Sequence, residues 1–162
     1  MTSLWQKGLS LIEVMIALAV FSFGLLALAA LMASGLKYNT SALHRSYATS
    51  QAYDIAERMR ANRVGLDLGC YDGLGDSATN SGCFSASDSD TDPGCIENDS
   101  GCTPEQMAQY DSWQWNSDNA RLLPEGTGTV SLESSIYTIT ISWNDDRDSG
   151  TPDVSFIVEF QP

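Results

Sequence analysis

The chain has 162 residues and a formal net charge of −13, room for one modest globular domain beside a membrane segment. The charge is uneven: residues 1–63 carry six basic and three acidic groups, residues 64–162 two basic and eighteen acidic. A half at −16 repels phosphate backbones, which excludes nucleic-acid binding through it.

In chain order, a short basic leader ends at Lys7-Gly8, and from Leu9 to Leu36 the only charged residue is Glu13. The rest of that stretch is Leu, Ala, Ile, Val, Phe and Met with a few Ser and Gly. About 20 apolar residues cross a hydrocarbon layer of roughly 30 Å, so the stretch is long enough to span. Backbone groups in lipid must bond within their own segment, which makes it a helix. Lys7 on one side and Lys37 with Arg45 on the other are too balanced to orient it. A secretory signal has its small-residue cleavage site after the apolar run. Here the obvious processing point, Gly8-Leu9, comes before it, so the apolar helix stays in the mature chain. A carboxylate near the centre of a membrane helix costs about 2.5 kcal/mol or more, and such residues are functional by default. Cleavage after Gly8 places a new amine on Leu9, about 6 Å along the axis from Glu13 and on the same helix face. Glu13 can then neutralise its own amine or that of a subunit packed beside it.

The motif GLSLIE, Gly8 to Glu13, closely resembles the leader-peptidase site of type IV prepilins. The resemblance implies cleavage by a prepilin peptidase between Gly8 and Leu9, N-methylation of Leu9, and a role for Glu13 in docking subunits during filament assembly. Type IV pilins often carry a proline midway through the membrane half of this helix, and this chain has none there.

Past Lys37, Leu43, Tyr47, Ile55 and Met59 recur at multiples of four, with Ala48, Ala52 and Ala56 alongside, while most charges fall on other faces. The periodicity predicts one helix from Leu9 to Asn62, about 80 Å long, apolar all round and then amphipathic. Asn62, followed by Gly65, is the stop signal. Its last stretch, AYDIAERMRAN (Ala52 to Asn62), resembles the PilV family of minor pilins. On that resemblance Glu57, Arg58 and Arg60 form part of an inter-subunit surface; as plain helix chemistry they are a solvated face with local salt bridges.

Residues 64–102 read as loop, rich in Gly, Ser, Asp and Asn and too polar to bury a core. They hold all four cysteines, Cys70, Cys83, Cys95 and Cys102, which points to an oxidising compartment for this part of the chain. Three pairings are open. The expectation is pairing between sequence neighbours, Cys70 with Cys83 and Cys95 with Cys102, which closes two short loops worth about 2–3 kcal/mol each. No C-x-x-C is present and the single histidine, His44, lies on the long helix, so zinc is a poor fit. Within the loop, Asp88, Asp90 and Asp92 alternate and Asp99 falls twelfth, the order of a calcium loop. Pro93 stands where that loop needs glycine, so an ordinary acidic loop is the expected reading and calcium the weak one. No other cofactor is expected.

Thr103-Pro104-Glu105-Gln106 predicts a capped helix start, with the helix running toward Leu122 and its face Met107, Tyr110 and Trp113, with Trp115 at its margin, in the core. From Gly126 the period changes to two. Thr129–Glu133, Tyr137–Trp143 and Val154–Phe160 read as an antiparallel meander, with Ile139, Ile141, Trp143, Val154, Phe156, Val158 and Phe160 facing a helix. Asn144, Asp145, Asp146 and Asp148 read as turn residues between the last two strands. There is no phosphate loop and no G-x-S-x-G, so the chain is expected not to be an enzyme.

The expected fold is α+β: a long N-terminal helix packed on a small antiparallel sheet, pilin-like, with a disulfide-stapled loop between them. The expected organisation is a leader at 1–8, a membrane and filament-core helix at 9–36, an amphipathic continuation at 37–63 and an acidic globular domain at 64–162. The resemblance implies a minor pilin that helps initiate a type IV pilus at or near its tip. Its partners would be other minor pilins, the major pilin, the prepilin peptidase, the inner-membrane assembly platform and a tip adhesin. The implied location is the bacterial inner membrane with the C-terminal domain in the periplasm, then the cell surface. Major pilins usually have a disulfide bracketing the last strand, and here the last cysteine precedes the sheet. The alternatives are a pseudopilin of a type II secretion system and a membrane-anchored module that binds calcium or another ligand.

Overall fold

The computed structural model describes residues 10–75, 83–85, 91–97, 99, 101–145, 152 and 154–162. The elements are α1 (Leu11–Ala61), α2 (Arg63–Asp67), α3 (Pro104–Leu122), β1 (Thr127–Glu133), β2 (Ile136–Trp143) and β3 (Val154–Phe160). The chain divides into two units, Met1–Ser41 and Ala42–Pro162, and α1 contributes to both.

In the first unit α1 is apolar on every side, and its described side chains up to Thr40 are all exposed. It is long and apolar enough to cross a membrane. Its backbone groups bond along the helix, and two hydroxyls do the same. Ser22 Oγ donates to the carbonyl of Leu18 at 2.7 Å and Thr40 Oγ1 to that of Leu36 at 2.9 Å. Such back-bonding hides a polar group that lipid would leave unpaired.

In the second unit α1 buries His44, Ala48, Gln51, Ala52, Ile55, Ala56 and Met59. Ile55, Met59 and the three alanines are those the periodicity placed inside. Leu43 is not among them: it is 49% exposed, and His44 takes the place at that end of the stripe. The helix ends at Ala61, and Asn62 caps α2 by accepting a bond from Gly65 N at 3.2 Å. The stretch from residue 64 onward is not the coreless loop its composition suggests. Leu66, Cys70, Tyr71 and Leu74 are buried members of the same apolar core as α1, because turns bring the few large side chains to one side.

The start of α3 is the capping box read from the sequence: Thr103 Oγ1 accepts from Gln106 N, and Gln106 Oε1 accepts from Thr103 N. Its buried face differs from the expected one. Ala108, Asp111, Ser112, Trp115 and Asn119 are inside, while Met107, Tyr110 and Trp113 are half-buried. The turn-by-turn spacing is the same, but the face is rotated toward Trp115, whose indole Nε1 donates to the Gln51 carbonyl of α1 at 2.9 Å.

The three strands form one antiparallel sheet in the order β1-β2-β3. Val130 pairs with Ile139 and Ile139 with Val158, so the inward set is Val130, Tyr137, Ile139, Ile141 and Trp143, all buried. The β1–β2 turn is Ser134-Ser135, both at positive φ (50° and 68°), a geometry that asks for Asn-Gly. Gly128 of β1 lies under Trp115: a Cβ there would fall 2.4 Å from Trp115 Cη2.

Two substitutions are therefore expected to move stability in opposite directions. Gly128→Ala overpacks the Trp115 contact and should cost about 1–3 kcal/mol. Ser135→Gly relieves left-handed strain and should add about 1 kcal/mol. Thermal unfolding of the full chain in detergent checks both.

Candidate functional site

Two chemical features stand out, one in each unit. In the first, Glu13 lies in the first turn of α1, and Ser10 O accepts bonds from Glu13 N at 3.0 Å and Val14 N at 3.3 Å. Its neighbours along one face are Val14, Ala17, Leu18 and Phe21, which form an open apolar groove. Among the described residues no cation lies within ion-pair distance of Glu13. It is an exposed carboxylate on an otherwise apolar cylinder, ready for a positive group brought by another molecule or by the chain's own start. Gly8 and Leu9 lie outside the described residues.

In the second unit a polar network joins three segments. Asp54, Arg58 and Asn62 recur four apart at the end of α1 and so share a face. Arg58 Nε donates to Asp54 Oδ2 at 2.8 Å, and its Nη1 donates to Asp111 Oδ1 at 3.2 Å and Gln114 Oε1 at 2.9 Å. The Tyr71 hydroxyl donates to Asp111 Oδ2 at 2.6 Å. Asn62 Nδ2 donates to Tyr71 Oη at 3.1 Å and to the Pro104 carbonyl at 2.7 Å. The network ties the end of α1 to the turn after α2 and to the start of α3.

Burial governs its electrostatics. It pushes the Asp111 carboxyl above its ordinary value, with hydrogen bonds from Tyr71 and Arg58 pulling it partly back. Burial first and the Asp111 charge second push the Tyr71 hydroxyl far up, so it stays a donor. Burial also opposes the Arg58 charge, but bonds and charges from Asp54 and Asp111 outweigh it and hold the guanidinium above its usual value. Arg58, nearer solvent, is thus favoured as a cation, while the deeper Asp111 ionises at some cost.

Of the charges on AYDIAERMRAN, Arg58 is not a solvated side chain but part of this network. Arg60 pairs with Glu57 on the exposed side and stacks 5.1 Å from the centre of the Phe160 ring. The signal for the network was in the sequence, in the four-residue spacing of Asp54, Arg58 and Asn62. Its partners Tyr71, Asp111 and Gln114 come from distant segments and carried no such mark.

The disulfides join Cys70 to Cys83 and Cys95 to Cys102. Cys102 directly precedes the capping residue of α3, so the second bridge anchors that helix start. Of the acidic loop, Asp88 and Asp90 lie outside the described residues. Asp92 Oδ1 accepts from Gly94 N at 2.8 Å, a local turn bond, and Asp99 is exposed. Of the turn after β2, Asn144 is buried and bonded through its N–H to the Pro124 carbonyl. Asp145 pairs with His44 at 3.2 Å, and Asp146 and Asp148 lie outside the described residues.

A helix that is apolar to its tip, a lone carboxylate near its start, and an α+β head stapled by two disulfides define a type IV pilin-like protein. The comparisons agree. Residues 6–29 match the profile of the prokaryotic N-terminal methylation motif, and residues 30–113, just over half of the chain, match that of the family described as Type IV pilin Tt1218. The chain belongs to that type IV pilin family. No curated protein and no solved structure matches it. It is therefore a pilin of a pilus or pseudopilus, carrying a prepilin-type start and assembling with other pilins. Its family is structural rather than catalytic.

The network makes a stability prediction with a pH sign. Asp111→Ala strands Arg58 and Tyr71 and should cost about 2–3 kcal/mol, between the values for exposed and fully buried pairs. Asp111→Asn keeps an acceptor for Tyr71 and should cost much less. Because folding raises the Asp111 pKa, the folded state holds that proton more tightly, and the stability it contributes is lost as pH rises. Denaturant titrations from pH 4 to 7 should show the wild type losing ground to Asp111→Asn as pH rises.

Proposed function

We propose that this chain is a minor pilin of the PilV type that helps initiate a type IV pilus and sits at or near its tip. The observation that carries the reading is the AYDIAERMRAN segment, in which Asp54, Arg58 and Asn62 bind the end of the stem helix to α3 and to the turn after α2. The run that resembles PilV proteins is the run that organises the head. Both disulfides precede the sheet, unlike the bracketed last strand usual in major pilins, which supports a minor subunit.

On this reading residues 1–8 are a leader removed by prepilin peptidase, and Leu9 becomes the N-methylated first residue. Residues 9–36 anchor the precursor in the inner membrane, residues 37–63 continue the helix, and residues 64–162 fold in the periplasm, where the cysteines oxidise. Glu13 then offers its carboxylate to an amine, its own or a neighbour's, in surroundings where water cannot compete. The pairing sets the depth at which subunits dock. Other minor pilins, the major pilin, the inner-membrane assembly platform and a tip adhesin are the partners of this scheme.

The test is mass spectrometry of filaments sheared from cells. The expected result is a chain beginning at N-methylated Leu9 in the filament fraction, with Glu13→Ala lowering its amount there at least tenfold at unchanged expression. A processed chain confined to the envelope favours a type II secretion pseudopilin. An unprocessed start at Met1, with Glu13→Ala harmless, overturns the reading and favours a membrane-anchored binding module.

A further inference from the structure

The two disulfides sit in unlike surroundings. Cys70 is fully buried in the apolar core, and Cys83 packs against that core. The backbone around Cys70 is held as well. Cys70 N donates to Gly65 O at 2.9 Å, Gly73 N to Val130 O at 2.9 Å, and Val130 N to Leu74 O at 3.0 Å. If this bridge opens, Cys70 and the turn that carries it stay packed where they are.

Cys95 is buried too, but outside that core, and its partner Cys102 is half-buried. Between them Ile96, Glu97, Asp99 and Gly101 are exposed and make no hydrogen bond to any described residue. Among the described residues, the bridge itself is what fixes this loop. Cys102 also lines an open recess of about 300 Å³ with Ala61, Asn62, Pro104 and Met107. Arg58 and Asp111, on the same wall, are paired with each other, so access rather than charge decides what enters.

We propose that the Cys95–Cys102 bridge is a reversible clasp, opened by a dithiol that reaches Cys102 through this recess, while Cys70–Cys83 is a permanent staple. Burial of Cys95 fixes the order of events. A thiolate of the dithiol attacks Cys102 Sγ and forms a mixed disulfide there. The Sγ–Sγ bond breaks, and its electron pair leaves on Cys95, which takes up a proton. The second thiol of the dithiol gives up its proton and displaces Cys102 as a thiolate, which is then protonated. The chain ends with two thiols and the reductant with a disulfide, so two electrons pass from one to the other. The freed loop regains its chain entropy, with no other described contact to hold it.

The clasp lies at the junction of the stem helix with α3. Cys102 precedes Thr103, which caps α3, and Pro104, whose carbonyl accepts from Asn62 Nδ2 at 2.7 Å. Opening the bridge removes the covalent restraint on that helix start and leaves it to hydrogen bonds alone.

The experiment treats the full chain in detergent with limiting dithiothreitol, quenches at intervals with an alkylating reagent, and maps the four cysteines by mass spectrometry. Cys95 and Cys102 should become alkylated together, at least tenfold faster than Cys70 and Cys83. Brief treatment with glutathione, a monothiol, should leave its adduct on Cys102. Amide hydrogen exchange at Gln106 and Met107, in the first turn of α3, should rise at least tenfold on opening while Val130 stays unchanged. The double variant Cys95→Ser, Cys102→Ser serves as the reference for the open clasp. Equal rates for the two bridges, earlier opening of Cys70–Cys83, or a glutathione adduct on Cys95 overturns the proposal. Unchanged exchange at Gln106 and Met107, in the reduced chain and in the double variant, overturns the bridge's role as a clasp.

Discussion

Trp115 is the constraint on which the head depends. Its ring rests on Gly128 of β1 and its Nε1 donates to the Gln51 carbonyl of α1, so one side chain fixes α3 against both the helix and the sheet. The contact admits no side chain at residue 128. A fully buried indole with its N–H satisfied combines a large apolar area with a directional bond, and so sets register as well as stability. The rotation of α3 toward Trp115 decides in turn which of its residues meet α1. It carries Asp111, one turn earlier on the same face, into position to meet Arg58 and Tyr71.

The Asp111 network does for the polar side of the junction what Trp115 does for the apolar side. Ion pairs of this kind add little net stability against an apolar alternative, but they penalise any arrangement that breaks them. A network whose members come from the end of α1, the turn after α2 and α3 fixes those three segments against one another. The Cys95–Cys102 bridge acts on the same place, because it ends beside the cap of α3 and restrains the Pro104 carbonyl that Asn62 binds.

The first unit obeys a different physics. Ser22 and Thr40 bond back to their own helix, and Glu13 is the only charged residue among residues 10–36. A carboxylate in that setting has one inexpensive solution, a cation supplied at the same depth. Under the proposed function, cleavage before Leu9 would supply one, within the stretch that matches the methylation motif. Membrane anchoring and filament assembly would then use the same residue, first as a cost in lipid and then as a contact between subunits.

What the sequence determined by itself was everything local or periodic. The membrane-length helix follows from an apolar run, the capping box from Thr103 and Gln106, and the three strands from alternation, while the sequence left three cysteine pairings open and the structure has the neighbour pairing that was expected. The four-residue spacing of Asp54, Arg58 and Asn62 stands in the sequence too, but it was not read as a line there and its partners lie in distant segments. The tertiary structure alone decided which face of α3 goes inside, because Met107, Tyr110 and Trp113 are as apolar as the face that won, and only the fit of Trp115 to Gly128 breaks the tie. It also recruited Leu66, Tyr71 and Leu74 from a stretch too polar on average to suggest a core, since burial is settled side chain by side chain. And it left β3 open while covering β1, a difference that strand alternation cannot express, because an edge is a property of what lies beside a strand.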